Sequence, residues 1–253
     1  MARSKARAKK NNVEFLQESL YNNNQAATKG PQKKKTWSIH DLKSIRALGE
    51  SQQKVFDAWN SEQNILAAGS AGTGKTFLAL YLGLSAVLFR DQQKVVVVRS
   101  AVPTRDIGFM PGTIEEKSSL YEEPYRNICH ELIGRASTYC DMKDAGIIEF
   151  MTTSYIRGLT LDNTVIIVDE VENLTSHEID SVMTRVGKNS RIILCGDVTQ
   201  TDLDGKKHGH EGMSRTEKVL RKMEEFDIVH FTRDDIVRSE FVKSWIIANE
   251  ETV

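Results

Sequence analysis

Eight consecutive residues in the first third of the chain have the types and spacing of a phosphate-binding loop. They match the pattern G-x-x-x-x-G-K-[ST] and are Gly69, Ser70, Ala71, Gly72, Thr73, Gly74, Lys75 and Thr76. Glycines let backbone N–H groups turn towards a phosphate, and the start of the following helix favours an anion. Lys75 can reach the β- and γ-phosphates of a nucleotide, and the Thr76 hydroxyl can ligate Mg²⁺. The pattern therefore predicts a site for ATP and Mg²⁺.

Two adjacent carboxylates, Asp169 and Glu170, follow the apolar run 165–168. Such a run is typical of a buried strand, and ligands of open α/β sheets bind at the carboxyl ends of the strands. We assign Asp169 to Mg²⁺, through water, and Glu170 to the orientation and deprotonation of the attacking water. A small-molecule kinase would not need a water-activating glutamate at this position. The acid pair therefore favours hydrolysis over phosphate transfer to an acceptor.

A third polar strand end is expected after residue 195. Residues 196–202 follow the apolar run 191–195 and include Gln200. A glutamine at this edge can hydrogen-bond both the γ-phosphate and the attacking water. We expect Gln200 to act with Glu170 and to report hydrolysis to the rest of the protein.

Short apolar runs that alternate with longer amphipathic stretches must position these residues. Strands are predicted at 64–68, 94–98, 147–150, 165–168, 191–195 and 228–231, and helices at 76–89, 114–140, 176–186, 214–226 and 235–248. Continuously apolar strands indicate a sheet buried on both faces, and the helices between them supply parallel crossovers. The pattern predicts a three-layer α/β domain over residues 37–253.

Two further helices are expected ahead of the first strand. Ile39, Leu42, Ile45 and Leu48 recur at near-helical spacing, which predicts a helix that ends at Gly49. A second short helix is expected to follow, with Ser51 as its N-cap.

The charge of the chain is unevenly distributed. The net charge of the 253 residues is -1, but residues 1–36 contain nine lysines or arginines and two glutamates. This polar segment has few aromatic residues, so we expect a disordered basic tail. The tail could anchor the protein to nucleic acid, whose phosphates release counterions on binding, or it could act only as a solubilising leader. Both alternatives stay open at this point.

Composition excludes several classes of protein. A hydrophobic content of 40% supports a folded core. The longest nearly apolar run, residues 77–89, is shorter than the roughly 18 residues that a membrane span needs. The three cysteines are widely spaced and predict neither a disulfide framework nor a zinc site. Since no secretory signal is evident, we expect a cytoplasmic protein without a membrane partner.

Seven ordered segments of the chain carry a family resemblance. They are Gln53–Lys54, residues 69–76, 107–112 and 154–158, Asp169–Glu170 with Asn173, Gly196–Asp197 with Gln200 and Asp202, and residues 235–238. With these segments the sequence resembles the PhoH-like ATPase family, the phosphate-starvation-inducible type of bacteria and phages. The resemblance implies a P-loop NTPase fold with a RecA-like core, related to superfamily 1 helicases. It also implies ATP hydrolysis coupled to RNA or single-stranded DNA.

The resemblance implies roles for further residues. Gln53 would contact adenine, with Gln52 as the alternative shifted by one residue. The chain departs from the family pattern where Val171 and Glu172 replace the usual Ala-Gln, and where Thr113 replaces Asp. These departures leave the ATP chemistry intact but weaken the transfer of nucleic-acid contacts.

The chain contains one such core, whereas related helicases close ATP between two. By symmetry and by the resemblance, we expect a ring of identical chains, six in number, in which a neighbour supplies an arginine to the transferring phosphate. Arg238 is the first candidate for this arginine and Arg185 is the second. The alternative function is a nucleotide-dependent switch or protein-remodelling ATPase that has no nucleic-acid substrate.

Overall fold

Six parallel strands form the centre of the fold. A computed structural model of the chain describes residues 37–100, 114–197 and 208–251. The strands within this part are β1 (Asn64–Gly69), β2 (Lys94–Arg99), β3 (Ile148–Thr152), β4 (Thr164–Val168), β5 (Arg191–Gly196) and β6 (Phe226–Phe231). They form one sheet in the order β3-β2-β4-β5-β1-β6, and every neighbouring pair is parallel. The carboxyl ends of β1, β2, β4 and β5 therefore lie side by side at one edge.

Helices cover both faces of this sheet. They are α1 (Glu50–Asn60), α2 (Lys75–Phe89), α3 (Ile114–Ile133), α4 (Thr138–Asp144), α5 (Ser176–Met183), α6 (His208–Leu220) and α7 (Glu240–Glu250). Alternate residues of β2 enter opposite clusters: Val95 and Val97 pack with α2 and α3, whereas Val96 and Val98 pack with α5 and α6. Because side chains of a strand point to alternate faces, an all-valine strand buries both of them. The predicted three-layer α/β fold with a parallel sheet is confirmed.

The expected helix over residues 39–48 is wrong. A single 3-10 turn at Ile39–Asp41 is followed by irregular backbone up to Gly49. Ile45 packs against the core, while Leu48 is 76% exposed and lines the pocket described below. The apolar residues of this segment are therefore spaced for contacts with the rest of the domain. They do not form one face of a helix.

The cap of the next helix also differs from the prediction. Helix α1 begins at Glu50 with Gly49 as its N-cap, so Ser51 lies inside the helix. The Ser51 hydroxyl donates instead to Asp235 Oδ2 at 2.8 Å, a residue 184 positions away. A long-range contact has replaced the local cap that the sequence suggested.

Two of the predicted helices are interrupted. The helix expected over 114–140 breaks at Gly134, whose φ of +84° is a conformation that favours glycine. The helix expected over 235–248 starts later, after Ser239, because Val237 N donates to Gly72 O at 3.0 Å and the chain stays irregular there. The irregular segment before α7 therefore lies against the phosphate loop.

Other boundaries moved by a few residues. Helix α6 ends at Leu220 and β6 begins at Phe226, earlier than expected. Within the described ranges, no helix combines the length and the apolar character that a bilayer crossing requires.

Candidate nucleotide site

The phosphate loop joins β1 to α2, as its pattern predicted. Strand β1 ends at Gly69 and α2 begins at Lys75, with Gly74 as an N-cap at a φ of +86°. Gly69 has a φ of +130°, and a Cβ atom there would lie 1.9 Å from the carbonyl oxygen of Phe231 on the neighbouring strand β6. The first glycine is therefore required both by its own conformation and by the closeness of β6.

Lys75 is held inside the loop. Its Nζ donates to the carbonyl oxygens of Gly69 and Ser70, both at 2.7 Å. Burial lowers the pKa of Lys75, although the nearby carboxylates, led by Asp197, oppose this shift. The loop thus presents a cation at the amino end of α2, where the helix dipole also favours an anion.

Asp169 connects the end of β4 to two helices. The Thr76 hydroxyl donates to Asp169 Oδ1 at 2.7 Å, and the Tyr125 hydroxyl donates to Oδ2 at 2.9 Å. Tyr125 is completely buried, and burial together with the charge of Asp169 raises its pKa well above the usual range. Tyr125 therefore remains protonated and keeps donating to the carboxylate, which fixes the orientation of Asp169.

Glu170 lies next to Asp169 and contacts a cation on the adjacent strand. Arg99, the last residue of β2, donates from Nε to Glu170 Oε2 at 2.8 Å and from a second guanidinium nitrogen to Oε1. Asn173 Nδ2 donates to Oε2 at 3.3 Å. Burial raises the pKa of Glu170, and its contacts with Arg99 and Asn173 oppose that shift.

A third acid, Glu172, faces the same region from the turn after β4. Its Oε2 accepts a hydrogen bond of 2.9 Å from the backbone N–H of Asp197, the residue after β5. Burial raises the pKa of Glu172 to about 7. A Cβ atom at Gly196 would lie 2.9 Å from the same oxygen, so the glycine provides the space that Glu172 occupies.

One pocket contains these groups. Its volume is about 1000 Å³, at the upper end of the roughly 300–1,000 Å³ typical of small-molecule sites. Its lining includes Gln52, residues 71–78, Arg99, Asp169, Glu170, Glu172, residues 195–197 and Arg238. Lys75, Thr76, Asp169 and Glu170 therefore come together at one edge of the sheet, which is the arrangement that their sequence positions suggested.

The structure places Gln52, rather than Gln53, at the pocket. Gln52 is 5% exposed, donates from Nε2 to Thr73 O at 3.2 Å and accepts from Leu48 N at 3.0 Å. Gln53 is exposed and donates to Asp57 Oδ1 at 2.9 Å within the same helix. The face of α1 that meets the phosphate loop carries Gln52, so the structure favours the alternative Gln52, and the contact of Gln53 with adenine stays a prediction.

The two candidate arginines lie in different places. Arg238 packs against the phosphate loop of its own chain, where a Cβ atom at Gly72 would lie 3.0 Å from Arg238 Cγ. Arg238 also lines the pocket of its own chain, and its role towards a neighbour stays a prediction. Arg185 follows α5, and its carbonyl oxygen accepts from Leu161 N ahead of β4, at the opposite edge of the sheet. Gln200 lies outside the described residues, as do Asp202 and the segments 1–36 and 107–112.

Two residues of the site were missed in the sequence. Arg99 follows four valines at the end of β2, so the rule that singled out Asp169 would also have indicated Arg99. Tyr125 lies on α3, 44 positions before Asp169, and no local pattern marks it.

Solved structures that align with the chain include a phage terminase and a Pif1 protein. The large terminase from a thermophilic bacteriophage, in complex with ADP, aligns with a TM-score of 0.44 and 14% identity, over 78% of this chain and 48% of that chain. Unliganded Pif1 from Bacteroides sp. aligns with a TM-score of 0.39 and 16% identity, over 77% and 43% of the two chains.

Sequence relatives are much more similar to the chain. Protein PhoH of Escherichia coli (strain K12) is 33% identical over 201 residues, which are 79% of this chain and 56% of that protein. The PhoH-like protein of Bacillus subtilis (strain 168) is 31% identical over 245 residues, 96% of this chain and 72% of that protein. The family model described as PhoH-like protein matches residues 44–250. The chain belongs to the PhoH-like protein family.

Proposed function

We propose that the chain is a Mg²⁺-dependent ATP hydrolase. The observation that carries this proposal is the 2.7 Å hydrogen bond between Thr76 Oγ1 of the phosphate loop and Oδ1 of Asp169, the residue after β4, inside a pocket that Lys75 and Glu170 also line. The phosphate-binding loop after β1 and the acid pair after β4 thus line the same cavity. Such a site supplies the cation, the metal ligands and the water-activating base that phosphoryl transfer to water requires.

The donor set of the site suits Mg²⁺. A hydroxyl and a carboxylate are oxygen ligands, which this hard cation prefers, and Mg²⁺ usually keeps several waters as well. Thr76 would hold the ion directly and Asp169 through water. Bound there, Mg²⁺ would neutralise charge on the β- and γ-phosphates.

The chain's own residues have separate roles in the proposed reaction. Lys75 binds the β- and γ-phosphates, and the amino end of α2 adds its dipole to the same attraction. Glu170 orients the attacking water and accepts its proton. Gln52 joins the phosphate loop to the segment before α1, and we propose that its amide contacts the adenine when ATP is bound.

We further propose that the enzyme couples ATP hydrolysis to work on single-stranded nucleic acid. The support is the excess of nine basic over two acidic residues in 1–36, together with the family membership. The proposed assembly is a hexameric ring, because the sequence has one phosphate-loop pattern and the described residues form one sheet. Arg238, which lies against its own phosphate loop, and Arg185, at the opposite edge of the sheet, are the two candidates for a residue that acts on a neighbour's nucleotide.

The test is the steady-state rate of ATP hydrolysis with and without single-stranded RNA or DNA. Wild type should hydrolyse ATP faster when nucleic acid is present, and added salt should reduce that stimulation. Glu170→Gln should bind ATP, but its turnover should fall by about 100-fold or more, since it lacks the base. Equal turnover in Glu170→Gln would refute the proposed reaction. A rate of hydrolysis that does not change when nucleic acid is added would favour the alternative, a switch or remodelling enzyme that acts on a protein.

A further inference from the structure

Glu170 is bound by groups of its own chain. Arg99 donates to both carboxylate oxygens, and Asn173 donates to one of them. Water activation needs a carboxylate oxygen within hydrogen-bond distance of the water and free to accept its proton. The bidentate contact with a guanidinium engages both oxygens, so neither is free to accept a proton from water while the pair is closed.

The fold brings the two side chains together. Val98 of β2 pairs in register with Val168 of β4, and Asp169 N donates to Val98 O at 2.9 Å, so Arg99 lies level with the acid pair. The Arg99 guanidinium also lies 5.5 Å from the centre of the Tyr121 ring, a cation–π contact. Its side chain is 17% exposed, less than the 36% of Glu170. Arg99 is therefore anchored by its strand and by Tyr121.

The backbone of Glu170 adds a second indication of restraint. Its φ is +52°, in the left-handed region, which is unfavourable for a residue other than glycine. Residues in such conformations persist where surrounding contacts hold them, and they concentrate at functional sites. The contacts with Arg99 and Asn173 are among those that hold Glu170.

We propose that Arg99 is a positioning residue that restrains Glu170, so that hydrolysis requires the Arg99–Glu170 pair to open. This inference rests on the proposed function, in which Glu170 activates water. In the paired arrangement the basal rate is slow because the carboxylate is engaged. Removing the guanidinium leaves Oε1 of Glu170 free to accept a proton from water, while Asn173 still donates to Oε2.

The experiment compares steady-state ATP hydrolysis without nucleic acid in wild type, Arg99→Met and Arg99→Lys. Lys94→Met is the matched control, because Lys94 begins the same strand and its Nζ lies 2.8 and 2.9 Å from the two oxygens of Glu149 on β3, away from the pocket. Arg99→Met should raise kcat about tenfold while KM for ATP stays within about twofold, since the pair restrains the base and not the nucleotide. Lys94→Met should match wild type.

Arg99→Lys keeps the charge but cannot span both oxygens, so its kcat should fall between those of wild type and Arg99→Met. It also serves as the second variant if Arg99→Met does not fold, which thermal unfolding would reveal. The double variant Arg99→Met/Glu170→Gln should be as slow as Glu170→Gln, because the acceleration acts through Glu170.

A kcat of Arg99→Met equal to or below that of wild type overturns the restraint, and so does acceleration that survives in the double variant. If wild type hydrolyses ATP and Glu170→Gln does not, these results leave the proposed function intact. If neither wild type nor Arg99→Met hydrolyses ATP with Mg²⁺ present, the proposed function fails together with the inference.

Discussion

The Thr76 hydroxyl donates a hydrogen bond of 2.7 Å to Asp169 Oδ1, although the two residues are 93 positions apart. This contact joins the first turn of α2 to the carboxyl end of β4. It brings the start of the helix that follows the phosphate loop and the acid pair that follows β4 to one pocket. The chemistry proposed for the chain depends on this relationship.

Tyr125→Phe tests how Asp169 is oriented. The variant removes the 2.9 Å hydrogen bond to Asp169 Oδ2, and the free energy of unfolding should fall by about 1–2 kcal/mol. The Mg²⁺ concentration for half-maximal ATP hydrolysis should rise, because the carboxylate is less well fixed. Urea denaturation and a Mg²⁺ titration measure the two effects.

The matched control is Tyr139→Phe. Tyr139 is 1% exposed on α4 and does not line the pocket. This variant should keep the wild-type Mg²⁺ requirement. An unchanged Mg²⁺ requirement in Tyr125→Phe would contradict the positioning role of Tyr125.

Gln52→Ala and Gln53→Ala form a matched pair of neighbours on α1. Gln52 contacts Thr73 O and Leu48 N beside the pocket, whereas Gln53 contacts Asp57 on the exposed face. Loss of the two buried hydrogen bonds should weaken ATP binding about tenfold in Gln52→Ala. Gln53→Ala should bind ATP as wild type does. Titration with a fluorescent ATP analogue measures both affinities, and the reverse order would restore Gln53 as the adenine contact.

Gly69→Ala should be severely destabilised. The added Cβ would lie 1.9 Å from Phe231 O on β6, and the φ of +130° is unfavourable for alanine. We expect the free energy of unfolding to fall by about 4 kcal/mol or more, in the range of exceptional single substitutions.

Gly134→Ala separates the two causes of that loss. Gly134 has a φ of +84°, but an added Cβ would meet no atom within 4 Å. Its cost should be about 1 kcal/mol, from conformation alone. Equal losses in Gly69→Ala and Gly134→Ala, measured by urea denaturation, would contradict the steric role of β6.

Glu172→Gln should stabilise the protein at high pH. The pKa of Glu172 is raised to about 7 in the folded protein, above the usual 4.5, so the folded chain retains a proton that the unfolded chain releases between these values. Wild-type stability therefore falls as pH rises through this window. The variant removes this loss and keeps an oxygen that can accept from Asp197 N. Its gain over wild type should be about 1–3 kcal/mol at pH 8 and near zero at pH 4; a gain independent of pH would contradict this account.

The sequence predicted the sheet well because its strands are marked locally. Runs such as the four valines of β2 are apolar and β-branched, and such runs fit a strand buried on both faces. The helices were predicted less well where distant contacts decide the backbone. The segment before α7 stays irregular because Val237 N donates to Gly72 O. Ser51 does not cap α1, because its hydroxyl donates to Asp235.

The site residues, like the helices and strands, were predicted well where local sequence marks them and less well where distant contacts decide. The phosphate loop and the acid pair are contiguous in sequence, so their chemistry could be predicted without knowledge of the fold. The choice between Gln52 and Gln53 depends on which face of α1 meets the loop, and the pairing of Arg99 with Glu170 depends on β2 lying beside β4. Sequence spacing contains neither fact, since the strand order is set by tertiary packing.

The most direct test of the central claim is the affinity of Mg²⁺–ATP for Lys75→Ala, measured by isothermal titration calorimetry, with Lys94→Ala as the control. Wild type and Lys94→Ala should each bind one ATP per chain. Lys75→Ala should bind ATP at least about tenfold more weakly, because the cation held inside the phosphate loop is lost. Wild-type affinity in Lys75→Ala would show that ATP binds elsewhere, and would contradict the site described here.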